Sequence, residues 1–262
     1  MLEKYIKTMS DRFNDSIIYQ TTDAWGDIFV IDHLHYRSLM FDSFYEQSSM
    51  NVNKPHVLVH NYTCAMMLVL AFIKPHHVTF LGLGGGCLLR SLYHLLPECK
   101  LHIIELRQQV YEVATDFFGI PASKQITVTI ADAQQQLKEI DNNSTNIIFA
   151  DLYNAYNMSP VQIQKDFISE CYRVLSYKGW LVVNYHELSD LNTGFLEYLC
   201  SIFSDIFVCC IPKGNSILFA SKHCTNTLDQ FEATVAILEK KLECKLMCLF
   251  RHIKRLDSIM LM

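Results

Sequence analysis

From residue 78 the chain repeats one rhythm: a short apolar run, a turn, then an amphipathic stretch. Apolar runs at 78–83, 101–105, 126–130, 146–151 and 180–185 alternate with helical patterns at 87–96, 108–118, 133–139 and 160–175. Pro97 closes the first of these helices, and Lys178-Gly179 reads as the stop of the last. Near-continuous apolar strands, each followed by a helix, satisfy their backbone and bury their side chains as a parallel sheet covered on both faces. The rhythm breaks at 205–211 and 216–221, two strand-like runs joined only by PKGN at 212–215. A link that short makes a hairpin and forbids a helical crossover, so the final strand must run antiparallel.

Upstream, residues 16–41 hold short runs rich in branched and aromatic residues, with turns at Trp25-Gly26 and 32–35. They predict a small antiparallel meander. A polar stretch follows at 46–55, then a long apolar helix over 56–73, ended by Pro75. Beyond the hairpin, Leu228, Phe231, Val235, Leu238 and Leu242 recur at helical spacing; such a stripe packs on its own domain or pairs with a second copy. The chain thus divides into a small N-terminal β region (1–55), a Rossmann-like nucleoside-binding domain (56–225) and a C-terminal helical extension (226–262). An α/β doubly wound sheet with an antiparallel last strand, preceded by a small N-terminal β meander, is the shape of the class I S-adenosylmethionine (AdoMet) methyltransferase fold.

Composition narrows the functional classes. Half of the 262 residues are hydrophobic and 19% are charged, which excludes a disordered chain. A net charge of −5 without a basic run excludes a phosphate-tracking surface, so no nucleic-acid partner is expected. The longest apolar run, 64–73, is about half a membrane span, and the N-terminus lacks a signal-peptide apolar region. The expectation is a cytoplasmic protein with no membrane partner. Ten cysteines show no C-x-x-C, Cys244/Cys248 form one weak pair, and the histidines add no ligand pattern, so no metal is expected and the thiols read as buried and reduced. So low a charge fraction requires a large core or an apolar face covered by a partner, for which a homodimer is the expectation.

Chemistry concentrates at the strand ends. Gly82, Gly84, Gly85 and Gly86 close the first parallel strand and open a helix, where a ligand can approach the backbone and meet free N–H groups. Glu105 ends the second strand, 19 residues past Gly86, where an acid accepts ribose hydroxyls. A dinucleotide site shares both features. Asp132-Ala133 after the third strand, where an acid accepts an adenine N6 hydrogen bond, and the antiparallel finish favour an AdoMet-type nucleoside. Asp151 ends the fourth strand at the mouth of the cleft, either facing a reacting group as base or anchor, or capping a helix. Tyr153, Asn154, Tyr156 and Asn157 supply uncharged hydrogen-bonding groups beside it.

The segments VTFLGLGGGCLLR at 78–90, IIE at 103–105, ADA at 131–133 and ADLYN at 150–154 resemble the spermidine synthase (polyamine aminopropyltransferase) family, and more closely its methyltransferase-like relatives, over roughly residues 16–222. Residues 41–47 and Tyr62 resemble that family's β-domain exit and gate. The resemblance implies that Glu105 holds the ribose, Asp132 the adenine, that Gln47 reaches the nucleoside, and that Asp151 faces the amine. It also implies AdoMet or decarboxylated AdoMet as the nucleoside and a small-molecule acceptor.

The departures set the functional expectation. The family's glycine-loop Asp falls on Gly85, its Asp-x-x-Asp-Pro becomes Asp151-Leu-Tyr-Asn154-Ala155, and its gate Tyr-x-Glu becomes Tyr62-Thr-Cys64; the Asp42-to-Gln47 spacing is one residue longer. Each close carboxylate–ammonium pair contributes roughly 1–3 kcal/mol, so three missing acids cost several powers of ten in binding a dicationic diamine and a cationic decarboxylated nucleoside. On this arithmetic, methyl transfer from AdoMet to a less charged acceptor stands first. Aminopropyl transfer to putrescine stands second and needs substitute acids such as Glu46, Asp42 or Glu187. A non-catalytic nucleoside-binding descendant is the third reading.

Overall fold

The computed structural model of the chain describes residues 16–42, 46–188, 191–212, 214–225 and 227–256. The reading of the N-terminus, part of the 41–47 segment and Lys213 of the hairpin link lie outside them.

An eight-stranded sheet forms the body. Strands β5 (His77–Leu81), β6 (Lys100–Glu105), β7 (Ile126–Ile130), β8 (Thr145–Ala150) and β9 (Leu175–Tyr185) run parallel in the order β9-β8-β5-β6-β7. Beyond β9 come β11 (Ser216–Ser221), β10 (Asp205–Cys210) and β12 (Ile253–Arg255). β11 is antiparallel to both β9 and β10, as the four-residue link requires. β12, which no sequence pattern singled out, pairs antiparallel with β10 at the edge.

Side chains alternate across this sheet with the strand period of two. Val78, Phe80, Ile147, Phe149, Trp180 and Val182 point to one face. They meet α1 (Asn61–Met66), α2 (Val69–Phe72), α3 (Cys87–Leu95), α8 (Glu232–Leu242) and α9 (Leu246–Phe250). Leu81, Ile148, Ala150, Leu181 and Val183 point to the other, against α5 (Ala133–Glu139), α6 (Lys165–Val174) and α7 (Thr193–Ile202). The C-terminal stripe turns inward: Val235 and Leu242 are buried in the first face, and Phe231 meets Phe72 at 5.0 Å between ring centroids.

A separate four-stranded antiparallel sheet, β1 (Ser16–Asp23), β2 (Gly26–His33), β3 (Tyr36–Phe41) and β4 (Glu46–Asn51), precedes the body. Its Ile28, Val30, Leu39 and Met50 pack on Val110, Val113 and Phe118 of α4 (Gln108–Phe118). Arg107 clasps the two parts together. Its guanidinium donates to both Asp23 oxygens at 2.9 and 2.8 Å and to the Gly26 carbonyl at 2.9 Å, and lies 4.5 Å from the Phe41 ring centroid. Both side chains of this pair are nearly buried, so removing one charge strands the other. Asp23→Asn is expected to lower unfolding free energy by about 2–4 kcal/mol, read as a lower urea midpoint.

Four expectations need correction. Residues 46–51 form β4 although they read as polar, because Ser48 and Ser49 are buried between strand partners and the glycine loop, where only small side chains fit. The single helix over 56–73 is instead an extended segment followed by two short helices. Leu58 bridges to Met50, and i→i−3 bonds from Leu68 to Ala65 and from Leu70 to Met67 break the α-helical ladder. The helix over 160–175 opens as a 3-10 turn, Pro160–Ile163, and restarts after extended Gln164; β9 begins at Leu175 and runs through Lys178-Gly179 rather than stopping there. Finally, four of the ten cysteines (Cys200, Cys210, Cys224 and Cys248) are exposed rather than buried.

Candidate functional site

The strand ends of β5, β6, β7 and β8 and the rim of the meander enclose a cavity of about 700 Å³. Ligands of open α/β sheets bind outside the carboxyl ends of the strands, where this cavity lies. Gly82 leaves β5 at φ +91°, and a Cβ there would stand 2.6 Å from the Asp151 carbonyl; only glycine permits that approach. The loop beyond it brings the Leu83 N–H to Glu105 Oε2 at 2.8 Å, while the Arg107 N–H donates to Oε1 at 2.9 Å. Burial raises the Glu105 carboxyl above its ordinary range, partly offset by these N–H groups and by Arg107. A carboxylate has about four acceptor positions, so two remain for hydroxyls of a ligand.

Of the other residues proposed for the nucleoside, Gln47, Gly84, Asp132 and Ala133 line the same cavity. Asp132 also caps α5, accepting the Gln135 N–H at 3.0 Å through Oδ1. Gly85 and Gly86 sit behind the wall. A Cβ on Gly85 would lie 2.7 Å from Ser48 Oγ, 3.0 Å from Ser48 Cβ and 3.2 Å from Phe118, so a side chain at this position requires Ser48 to give way. Buried Arg90 holds this loop from beneath, donating to the carbonyls of Gly85 and, at 3.0 Å, of Pro55.

Asp151, just past β8, faces the cavity from the other side. Burial pushes its carboxyl up to about 6, against the opposing effects of the Asn184 hydrogen bond and the nearby His60 charge. Asn184 Nδ2 donates to Asp151 Oδ1 at 2.8 Å, and Asn215 Nδ2 donates to Asn184 Oδ1 at 2.8 Å. The Tyr153 hydroxyl and Gln162 Nε2 both reach the Asn184 carbonyl at 3.2 Å. This amide chain fixes the carboxylate's orientation. Asn154 lines the cavity too, yet its Oδ1 is already engaged by the N–H groups of Tyr156 and Asn157, both at 2.8 Å, making it a loop staple.

Tyr62, at the start of α1, also lines the cavity. Burial first, then the charges of Asp151, Cys87, Tyr153 and Glu46, drives its hydroxyl well above the ordinary tyrosine range, so it remains a neutral donor. Of the substitute acids, Glu46 lines the cavity, whereas Asp42 and Glu187 do not; Asp42 accepts the Asp27 N–H within the meander. Glu46 Oε1 lies 2.9 Å from His60 Nε2, and Oε2 accepts from the Ser38 hydroxyl. Burial raises the Glu46 carboxyl, but His60 and the serines outweigh it and leave it below its ordinary value. Sequence reasoning missed His60, Asn184, Asn215 and Gln162. Only Asn184 carried a signal, as the single amide in the apolar run WLVVNY.

A reversed strand closing a doubly wound sheet, with acids at successive strand ends around one cleft, is the architecture of the class I methyltransferase-type fold. Solved structures agree on the fold. A probable spermidine synthase from Corynebacterium glutamicum superposes with a TM-score of 0.74 at 18% identity, covering 84% of this chain and 87% of its own. Human methyltransferase-like protein 13, solved with SAH, gives 0.65 at 22%, covering 71% and 94%. No protein-family profile matches the chain. The polyamine aminopropyltransferase of Chromobacterium violaceum is 30% identical over 215 residues, 80% of this chain and 82% of that protein. That of Neisseria meningitidis serogroup A is 31% identical over 170 residues, 64% of each chain, so the match spans less than two thirds of that relative. The chain belongs to the polyamine aminopropyltransferase family.

Proposed function

We propose that this chain transfers an aminopropyl group from decarboxylated AdoMet to a primary amine. Glu105 and Asp132 would hold ribose and adenine, with Gln47 beside them, while the loop from Gly82 leaves room for the nucleoside. The acceptor nitrogen's lone pair forms a bond to the carbon next to the sulfonium, that carbon–sulfur bond breaks, and methylthioadenosine leaves with the electron pair. Asp151 takes the proton that the new ammonium sheds. The observation that carries this reading is Asp151 itself: a carboxylate oriented by Asn184, facing the cavity, and titrating near 6. A base of that pKa is ionised at neutral pH yet still binds a proton appreciably.

The named relatives favour aminopropyl over methyl transfer, and so does Glu46, which restores one carboxylate to the wall. Methyl transfer from intact AdoMet keeps support from one feature, the close packing of Gly85 against Ser48, which disfavours an acid at that position. Parallel assays with putrescine separate the two. Decarboxylated AdoMet should yield methylthioadenosine and spermidine; S-adenosylhomocysteine as sole product from AdoMet would replace this proposal with the second reading. Nucleoside binding without any product would make the protein a non-catalytic descendant.

A further inference from the structure

Away from the cavity, the C-terminal extension meets α1 through two cysteines that lie 180 residues apart in the chain. Cys64 is buried in α1; Cys244, between α8 and α9, is half-buried and packs on the same apolar cluster, where α9 meets α1. Their side chains are hydrogen-bonded to each other. Contacts that involve neither sulfur fix the backbone on both sides of Cys244. Glu243, whose φ of +52° ends α8 in the left-handed region, pairs with Lys54 and lies 4.0 Å from His56 Nε2. The His56 ring in turn stacks on His94 at 4.0 Å between centroids. Beyond Cys244, the Leu246 N–H donates to its carbonyl at 2.9 Å, and the Met247 N–H donates to Glu239 Oε2 at 2.7 Å. The fold therefore holds the two thiols together rather than leaving them to meet by chance.

The hydrogen bond divides their roles. It holds the Cys64 thiol well above the ordinary range, with burial adding to the effect, so Cys64 keeps its proton. As acceptor, Cys244 is lowered by the same bond, against burial and the Glu239 charge. Thiolate is the form that oxidants attack, and Cys244 is also the sulfur that solvent reaches. We infer that Cys64 and Cys244 form a reversible disulfide that locks the C-terminal helix pair onto α1, with a hydroperoxide as the oxidant. The Cys244 thiolate attacks one peroxide oxygen, the O–O bond breaks and hydroxide leaves, giving a sulfenic acid. The Cys64 sulfur then attacks the Cys244 sulfur, the S–O bond breaks, and water leaves with the Cys64 proton. Two electrons pass from the two sulfurs to the peroxide, and a dithiol restores both thiols by exchange. Tyr62, two residues before Cys64 on the same helix, lines the cavity, so the lock bears on the wall of the site without entering it. Neither step involves the nucleoside or its acceptor.

Treatment of the full chain with hydrogen peroxide at low protein concentration, followed by peptide mapping without reductant, tests this. Cys64 should be found linked to Cys244, and dithiothreitol should reverse the link. The linked protein should melt several degrees above the reduced one, because the bond closes a loop of about 180 residues in the unfolded chain. Cys244→Ser, treated alike, should show no such rise, and Cys64→Ser should accumulate a Cys244 sulfenic acid that a dimedone probe traps. The map of the unaltered protein decides the matter even where a variant folds poorly. A bond from Cys64 to Cys87, whose charge Cys64 also senses, would overturn the inference. So would oxidation confined to the exposed Cys200, Cys210, Cys224 and Cys248, or a linked protein that melts no higher than the reduced one.

Discussion

Asp151→Asn is expected to abolish most turnover while making the protein more stable. General-base assistance contributes about 10²–10⁴-fold, so kcat should fall by that factor with nucleoside affinity unchanged. The stability change follows from the same burial. A carboxyl raised to about 6 from its ordinary 3.8 is harder to ionise in the folded chain than in the unfolded one. Its contribution to stability is therefore fully present below pH about 4 and is lost as pH rises through about 6. At neutral pH the cost is about 1–3 kcal/mol, at the lower end where cavity water reaches the group. Asparagine removes it and can still accept from Asn184, so the variant should melt several degrees higher at pH 7.5 and show little gain at pH 4. The rate of the unaltered enzyme should rise with pH through an apparent pKa near 6. A rate flat across that range would mean Asp151 anchors the acceptor without taking its proton.

Glu105→Gln should be the most damaging change to nucleoside binding. Each hydrogen bond to a charged acceptor contributes about 1.5–3 kcal/mol, so losing two to ribose hydroxyls lowers affinity for methylthioadenosine at least about 100-fold. The side chain also anchors the first loop. Gln offers one acceptor oxygen and turns an NH₂ toward either Leu83 or Arg107, whose N–H groups now point at Oε2 and Oε1. That mismatch should cost a further 1–3 kcal/mol or so of stability. Calorimetry separates the two effects, because Asp23→Asn should lower stability through the neighbouring Arg107 with a much smaller effect on nucleoside affinity. Comparable affinity losses in both variants would show that loop order, rather than ribose contacts, governs binding.

Much of this was legible in one dimension. Four of the five runs announced the parallel strands because strands buried on both faces have no polar side; β7, ITVTI at the sheet edge, is only partly buried and showed itself by its branched residues. The four-residue link forced the reversal of β11 because no helix fits in it. Glycines after β5 and acids after β6, β7 and β8 lie in one cleft for the same reason: every parallel strand delivers its C-terminal end to the same edge of the sheet. Residues 46–51 were illegible because their strand character comes from pairing with β3, and serine is chosen there by the closeness of Gly85.

The departures from the family's motifs leave the cavity short of acids, and of the three substitutes named from the sequence the tertiary structure brings Glu46 to its wall. Glu46 and His60 are 14 residues apart and meet because β4 and α1 flank the same opening. Asn215 reaches Asn184 because β11 inserts between β9 and β10, laying Ser216 beside Tyr185. Sequence by itself determined the alternation of strands and helices from β5 to β9, the reversed β11 and which strand ends carry chemistry, since periodicity and link length act locally. Only the tertiary structure decided which side chains share the cavity and what orients Asp151, since those contacts depend on how distant elements register against one another.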